Sequence, residues 1–568
     1  MVGDHLGKTK VTTQPHNHDF EQMVFSWSLE DILNEDLYKH QVENIPFTFQ
    51  CVEHYLGSFV SPLLEETRAE LASAMEIMYR APYAEIFSLN ETKKDGKFMY
   101  HVTIGNWRNK TSEHGKEPYR TSPGDLLILV DGIPESVSDL QHDIDSTPVG
   151  FNVKASNKLN SKRGCLLFFL TNVTTNKRIW NSLHMHRNMN IIEKILHSDF
   201  SSRYGDRLEL GKTTTVSVLL FILLKMNRRT LTCAPTNVAI DQVASRLLNL
   251  VKGSFNTITA GGDFIYCIGD ILLFGNKKRL KVGTETEEIY LEGRINRLTE
   301  CLGSFSGWKH CIRSMTDLLK NCVSQYHVFK ENELIKEKQF AAENQIKTKA
   351  TKLEVNSFIE FVRDRFSVCV SPLRRCIITL LTHIPKSFLR EDNFQRWTWS
   401  SKCFEQNCNN GLLFQNASLI FCTSSTSYKL HTVKMKPLEI LVIDEAAQLK
   451  EAESTIPLQL PGMKHAILIG DEYQLPAMVS SNVCIESGFG RSLFARLSSL
   501  GHSMHLLNVQ YRMHPSISFF PNCKFYQNRI LDAENVMRKS YEKQYLSGPM
   551  FGPYSFINCC WWKRRKGR

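Results

Sequence analysis

Four short apolar runs in this chain each end in polar or charged residues, and helical stretches separate them. The runs cover residues 230–234, 441–443, 466–469 and 506–509. From about Leu219 strands and helices alternate, which is typical of a parallel α/β sheet. Ligands of open parallel sheets bind at the carboxyl ends of the strands. The polar residues that follow the runs are therefore the candidate site.

The run at 441–443 ends in two adjacent carboxylates, Asp444 and Glu445, within the sequence VIDEAAQ. Mg²⁺ prefers oxygen ligands, so Asp444 is a candidate metal ligand. Glu445 can orient or deprotonate an attacking water and is a candidate catalytic base. A helix cap after a buried strand would explain an isolated Asp-Glu pair, but the complete motif favours a nucleotide site.

Two further motifs follow at short intervals, GDEYQLP at 470–476 and QYRMHP at 510–515. The Gln474 amide could sense a terminal phosphate, and the Arg512 guanidinium could stabilise its charge during transfer. Tyr511 could stack on a base. The structural alternatives are a simple Gly-Asp turn, a surface arginine and a core tyrosine. The order and spacing of the motifs favour roles in binding a nucleotide.

The run at 230–234 leads into Pro235, Thr236 and Asn237, before a helix that should start near Val238. Exposed N–H groups and small hydroxyls at such a point can hold phosphates. The same residues would also serve as an ordinary helix start. Alone, this motif is weak evidence for any function.

Taken in order, APTNVA, VIDEAAQ, GDEYQLP and NVQYRMHP resemble motifs of superfamily 1 helicases of the nonsense-mediated-decay and senataxin-like group. FSWSLEDILNEDLYKHQVENIP and FVSPLLEETRAEL resemble a plant branch of that group, and the resemblance covers nearly all of residues 20–558. It implies an α/β fold with a RecA-like P-loop NTPase parallel sheet, a small β-barrel domain and a helical insertion. It further implies ATP and Mg²⁺ as cofactors and single-stranded nucleic acid as partner, with RNA favoured over DNA.

The resemblance also assigns roles to individual residues. Gly211, Lys212, Thr213 and Thr214 of GKTTT resemble the end of a phosphate loop, with Thr213 on the Mg²⁺ side beside Asp444. Glu445, Gln474 and Arg512 resemble catalytic contacts around the last phosphate, and Tyr511 resembles the residue that stacks on adenine. The predicted nucleic-acid contacts are Pro235, Thr236, Asn237 and Thr423.

The same comparison predicts a domain order. The expected segments are a disordered tail (1–19), an N-terminal and stalk-like helical region (20–97), a 1B-like β domain (98–200), RecA-like domain 1 (201–282 and 411–505), a helical 1C-like insertion (283–410), the start of RecA-like domain 2 (506–558) and an aberrant tail (559–568). The tail is interpreted as a frame error or intron read-through, because a one-base shift would turn the codons of Trp561 and Trp562 into glycine codons.

Two departures from the family predict low activity. Residues 206–210 read DRLEL, where a P-loop needs glycine-rich backbone to cradle phosphates. The chain also ends about 55 residues after QYRMHP, so most of a second lobe is expected to be missing. We therefore expect a helicase-family protein of doubtful ATPase activity. The alternative is a non-enzymatic nucleic-acid-binding or scaffold relic, and the later motifs argue against a transporter or AAA-type ATPase.

Composition adds only broad limits. The net charge of +11 is compatible with a polyanionic partner. The 16 cysteines include no CxxC pair, which indicates scattered thiols of a reducing compartment. The N-terminus lacks an apolar signal core, and the apolar run at 216–224 is too short to cross a bilayer. We expect an intracellular, soluble protein, and the resemblance favours the nucleus over the cytoplasm.

Overall fold

A computed structural model of the chain describes residues 19–94, 97–108, 119–133, 165–197, 212–254, 257–258, 264–265, 268–280, 282–303, 307–343, 357–385, 409–543, 546, 548 and 551–555. The α-helices are, in chain order, α1 (Phe20–Ser26), α2 (Leu29–Leu33), α3 (Val52–Gly57), α4 (Val60–Glu76), α5 (Thr174–Leu183), α6 (Met189–Glu193), α7 (Lys212–Lys225), α8 (Asn237–Ser254), α9 (Lys277–Leu280), α10 (Leu291–Leu302), α11 (Trp308–Glu343), α12 (Phe358–His383), α13 (Asn409–Asn416), α14 (Glu451–Leu458), α15 (Asn482–Glu486), α16 (Leu493–Ser499), α17 (Pro515–Phe525) and α18 (Glu534–Met537).

The strands are β1 (Tyr83–Lys94), β2 (Lys97–Ile104), β3 (Asp125–Asp131), β4 (Cys165–Asn172), β5 (Thr230–Ala234), β6 (Thr257–Ile258), β7 (Phe264–Ile265), β8 (Ile271–Leu273), β9 (Leu419–Thr423), β10 (Ile440–Ile443), β11 (His465–Leu468), β12 (Val509–Gln510) and β13 (Leu531–Asp532). Short 3₁₀ helices lie at Met78–Arg80, Thr286–Glu288, Ser425–Thr432, Ala446–Gln448 and Lys539–Tyr541.

The chain forms two compact units. Unit 1 comprises Met1–Ser198, Ala447–Gln459 and Gln474–Leu500, and unit 2 comprises Asp199–Ala446, Leu460–Tyr473 and Gly501–Arg568. The chain therefore passes between the units directly after the Asp444–Glu445 motif, and again within GDEYQLP.

Unit 1 contains an antiparallel sheet with strand order β2-β1-β4-β3. Short apolar runs alternate with turn residues here, a pattern that predicts a small antiparallel barrel or sandwich. The runs FMYHVTI, DLLILVDGI and CLLFFLTNV form β2, β3 and β4, whereas FNVKA lies outside the described residues. Most apolar residues of β3 and β4, such as Ile128 and Phe168, are buried, including consecutive ones. This curled sheet agrees with the predicted small barrel-like domain.

The helices of unit 1 follow local sequence signals. Ser28 and Asp31 form a reciprocal capping box at the start of α2. Residues 62–79 have the apolar spacing of a helix, and most of them lie in α4 (Val60–Glu76). The apolar stretch that begins at Ile191 contains the end of the short helix α6. α4 is buried along most of its length, and the buried residues include charged side chains. The helical periodicity of the sequence does not show which residues pair with these charges.

Unit 2 contains a five-stranded parallel sheet with order β11-β10-β5-β9-β8. All five residues of β5 are buried, as expected for a strand that is covered on both faces. Val216 and Leu220 of α7 and Val243 and Leu247 of α8 share one buried cluster with Phe421 of the sheet. This is the parallel α/β sheet that the sequence predicted, but the run at 506–509 leads into β12, which pairs with β13 in a separate two-stranded sheet.

The described part of 283–410 is mostly helical, and the exact bounds of the insertion stay a prediction. Tyr326 and Phe329 of α11 pack their rings against Phe361 of α12. Arg294 of α10 is fully buried and donates to the carbonyls of Gly269, Ile271 and His383. Arg294 therefore ties α10 and the end of α12 to the residues around β8.

Within the described ranges, no helix combines the length and the apolar character that a membrane span requires.

Candidate nucleotide site

The candidate site lies at the carboxyl edge of the parallel sheet of unit 2. In the sheet register, Ile443 of β10 is level with Cys233 of β5 and Leu468 of β11. The amide of Asp444 donates to the Cys233 carbonyl at 2.9 Å, and the amide of Ala446 donates to the Ile469 carbonyl at 2.8 Å. These bonds fix the loop that carries the two carboxylates.

Lys212 and Glu445 are in direct contact, although 233 positions separate them along the chain. Lys212 is the first residue of α7, and its Nζ lies 2.6 Å from Oε1 of Glu445. The two side chains are 24% and 22% exposed, so the pair is accessible to a ligand. Glu445 has a φ of 53°, a left-handed conformation that residues other than glycine seldom adopt outside functional turns.

Asp444 lies beside this pair and is only 4% exposed. Burial raises its pKa; the Lys212 ammonium lowers it, and Glu445 raises it further. Its Oδ1 atom is buried without a hydrogen-bond partner in the described part of the chain. Buried polar atoms are nearly always satisfied, so an unpaired carboxylate oxygen beside a second carboxylate fits a hard cation. The described residues contain no cluster of three or more His, Cys, Asp or Glu suited to a metal, so such a cation would need other ligands as well.

The rest of the predicted phosphate loop is only partly described. Gly211 lies outside the described residues, as does the side chain of Thr213. Thr214 is exposed in the first turn of α7. The assignments of these residues to phosphate and Mg²⁺ binding stay predictions.

The GDEYQLP motif is anchored by a residue that the sequence did not single out. Tyr526, the residue after α17, donates its hydroxyl proton to Oδ2 of Asp471 at 2.6 Å. Burial and the contact with Asp471 raise the pKa of Tyr526, so this hydroxyl remains a donor. Gln474 is exposed and is the first residue of its segment in unit 1. No spacing signal in the sequence would have linked Tyr526 to Asp471.

Arg512 and Tyr511 lie on the loop between β12 and α17. The Arg512 amide donates to Oε1 of Gln510, and the hydroxyl of Tyr541 donates to the Arg512 carbonyl. Asn535 donates to the carbonyl of Tyr511, whose side chain is 44% exposed. The backbone is thus held while both side chains reach solvent, and the roles of these side chains stay predictions.

The predicted nucleic-acid residues end two adjacent strands. Ala234 of β5 is paired with Thr423 of β9, so Pro235 and Thr423 lie at the same edge. Thr236 accepts a hydrogen bond from the Ala239 amide at the start of α8, and this confirms the predicted helix start. Thr423 donates to the hydroxyl of Thr426 at 2.8 Å, and Thr426 is a second hydroxyl that the sequence analysis missed.

Family models match most of the chain. A model described as an AAA domain matches residues 189–482, more than half of the chain, and a second AAA domain matches 489–568. A domain of unknown function (DUF6469) matches residues 16–202.

Individual relatives point the same way. Helicase sen1 of Schizosaccharomyces pombe is 28% identical over 346 residues, which are 58% of this chain and 18% of that protein. The probable helicase MAGATAMA 3 of Arabidopsis thaliana is 35% identical over 147 residues, 26% of this chain and 18% of that protein. The Arabidopsis homologue of regulator of nonsense transcripts 1 is 36% identical over 125 residues, 22% of this chain and 10% of that protein.

The matched segments span less than a fifth of the length of these relatives. Three observations on this chain agree with one another. They are the parallel sheet, the carboxylate pair beside Lys212 and the match to an AAA domain. The chain belongs to the Upf1-like group of superfamily 1 helicases.

Proposed function

We propose that this chain binds ATP and Mg²⁺ at the Lys212, Asp444 and Glu445 edge, as part of an ATP-dependent helicase that acts on single-stranded RNA. The observation that carries the proposal is the 2.6 Å contact between Lys212 and Glu445 beside the unpaired Oδ1 of Asp444. An ammonium, a candidate base and a candidate metal ligand are the groups that in-line phosphoryl transfer to water requires.

Each residue has a distinct proposed role. Lys212 donates to oxygens of the terminal phosphates, and Thr213 and Asp444 hold the metal. Glu445 accepts the proton of the attacking water. Mg²⁺, when bound, supplies positive charge against the phosphate oxygens. Gln474 and Arg512 contact the γ-phosphate, and Tyr511 stacks on adenine.

The nucleic acid would pass over the neighbouring strand ends. Pro235, Thr236 and Asn237 follow β5, which pairs with the strand that precedes Asp444. Thr423 ends β9, which pairs with the other side of β5. Exposed amides and hydroxyls suit phosphate contacts with little sequence preference. The relatives named as regulators of nonsense transcripts favour RNA as the ligand.

We further propose that turnover by this chain is low. The five residues before Gly211 are Asp206, Arg207, Leu208, Glu209 and Leu210, which lack the glycines that let successive N–H groups surround phosphates. Binding through Lys212 would survive this loss better than catalysis, because catalysis needs a fixed γ-phosphate.

The test is equilibrium binding of a fluorescent ATP analogue with Mg²⁺, together with ATPase assays in the presence and absence of RNA. Lys212→Ala should weaken nucleotide binding at least tenfold. Lys225→Ala, which removes a lysine from the last turn of the same helix, should leave it unchanged. Turnover should stay near background, and Glu445→Gln should change it little.

Each contrary result has a clear meaning. RNA-stimulated turnover that collapses in Lys212→Ala would overturn the proposal of low activity. If the wild-type chain binds RNA but no nucleotide, the proposal of an ATP-dependent enzyme is wrong. The chain would then be a non-enzymatic protein that binds nucleic acid.

A further inference from the structure

Helix α4 of unit 1 carries three charged side chains that are buried close together. Glu65, Glu66 and Arg68 are 0%, 1% and 3% exposed. A buried charge costs several kcal/mol unless it is paired and hydrogen-bonded. Their partners therefore show what these charges hold in place.

Glu66 binds two separate chain segments with one carboxylate. Its Oε1 accepts from Nζ of Lys450 and from the amide of Ser480, both at 2.9 Å. Its Oε2 accepts from the amides of Ser480 and Ser481, both at 3.1 Å. Charge-assisted bonds of this kind are stronger than neutral ones, and here they use both oxygens.

The neighbouring Glu65 reinforces one of these segments. It accepts from the hydroxyl of Ser481 at 2.7 Å and is held by Nε and Nη2 of Arg68, each at 2.8 Å. Ser481 in turn caps α15, because its hydroxyl accepts from the amide of Cys484. The start of α15 is thus fixed to α4 through side chains and backbone together.

The two bound segments are those that leave the two acidic motifs. Lys450 follows Asp444 by six positions, and Ser480 follows Gln474 by six positions.

We infer that Glu66 is a positioning residue, which holds the two segments that follow VIDEAAQ and GDEYQLP in the chain by anchoring Lys450 and the amides of Ser480 and Ser481. The consequence for nucleotide binding rests on the proposed function, whereas the anchoring itself does not.

The anchoring is tested by hydrogen–deuterium exchange of the full chain, read by mass spectrometry in peptides covering 445–452 and 471–484. Glu66→Gln removes the charge. It also places an NH₂ group, which cannot accept a hydrogen bond, opposite backbone amides that donate to Oε2 in the wild-type chain. Exchange in both peptides should accelerate about tenfold, while the β3 peptide around Ile128 should be unchanged.

Glu70→Gln is the matched control, because Glu70 lies one turn further along α4 and accepts from Asn176 instead. It should leave both peptides within twofold of wild type. Lys450→Met removes only one arm, so exchange should accelerate in 445–452 and not in 471–484. If Glu66→Gln does not fold, the exchange rates of Lys450→Met in these two peptides test the anchoring role of Glu66.

Unchanged exchange in Glu66→Gln, or equal acceleration throughout unit 1, would overturn the inference. The nucleotide readout is the ratio of ATP to ADP affinity, which should fall at least threefold in Glu66→Gln and stay constant in Glu70→Gln. If the wild-type chain binds no nucleotide, the proposed function fails, and the exchange data alone still decide the role of Glu66.

Discussion

His383, at the end of α12, is a buried imidazole that affects the response of unit 2 to pH. It is 5% exposed, and its Nδ1 is buried without a hydrogen-bond partner among the described residues. Burial, followed by the charges of Arg294 and Arg297, lowers its pKa from 6.5 to about 3. The folded state therefore binds fewer protons than the unfolded state between these two values.

Because the pKa in the folded state is lowered, stability is fully present above pH 6.5 and is lost as the pH falls toward 3. The loss is at most about 1.4 kcal/mol per pH unit. His383→Leu should remove this component, so its free energy of unfolding should fall less than that of wild type between pH 7 and pH 5. Denaturant titrations at several pH values measure the difference.

His310→Leu removes an exposed imidazole from the same insertion and serves as the control. Parallel pH profiles for wild type and His383→Leu would show that the buried imidazole carries no such linkage.

Among the elements, α3, α14 and α16 of unit 1 are joined by a buried ionic cluster. Nε of Arg496 lies 2.8 Å from Oε1 of Glu451, and the Tyr55 hydroxyl donates to the same oxygen at 2.9 Å. Arg496 and Glu451 are 0% and 1% exposed, and Arg496 also donates to the Phe47 carbonyl. Three short helices are thus joined by one buried cluster of side chains.

Arg496→Met should lower the free energy of unfolding by about 3 kcal/mol, because it leaves the Glu451 carboxylate buried without its ion-pair partner. Adding Glu451→Leu should restore much of the loss, since no charge then remains buried. Thermal and denaturant unfolding measure both effects. Lys39→Met, which breaks an exposed pair with Asp36, should leave stability unchanged. A double variant that is less stable than the single one would contradict this account.

For the molecule as a whole, the net charge of +11 predicts binding to polyanions that depends strongly on salt. If single-stranded RNA contacts about three cationic groups, its affinity should fall roughly 20-fold between about 50 and 200 mM salt. Fluorescence anisotropy with an oligouridine measures the slope of log affinity against log salt. Affinity that does not change with salt would argue against a phosphate-directed interface.

The sequence by itself determined the parallel α/β class and the order of the motifs. Runs such as LVI at 441–443 are apolar and short, and both properties are local. β5, β10 and β11 were therefore predictable together with the residues that follow them. The adjacent carboxylates Asp444 and Glu445 were recognisable for the same reason, because the strand and its polar end are continuous in the chain.

Only the tertiary structure decided which distant residues meet. Lys212 reaches Glu445 across 233 positions, and Glu66 reaches the Ser480 amide across 414. Such contacts depend on how helices are placed against the sheet and against each other, and side-chain periodicity carries no information about this. The burial of Glu66 could not be foreseen either, because its cost is offset by partners that are brought near only once the chain has folded.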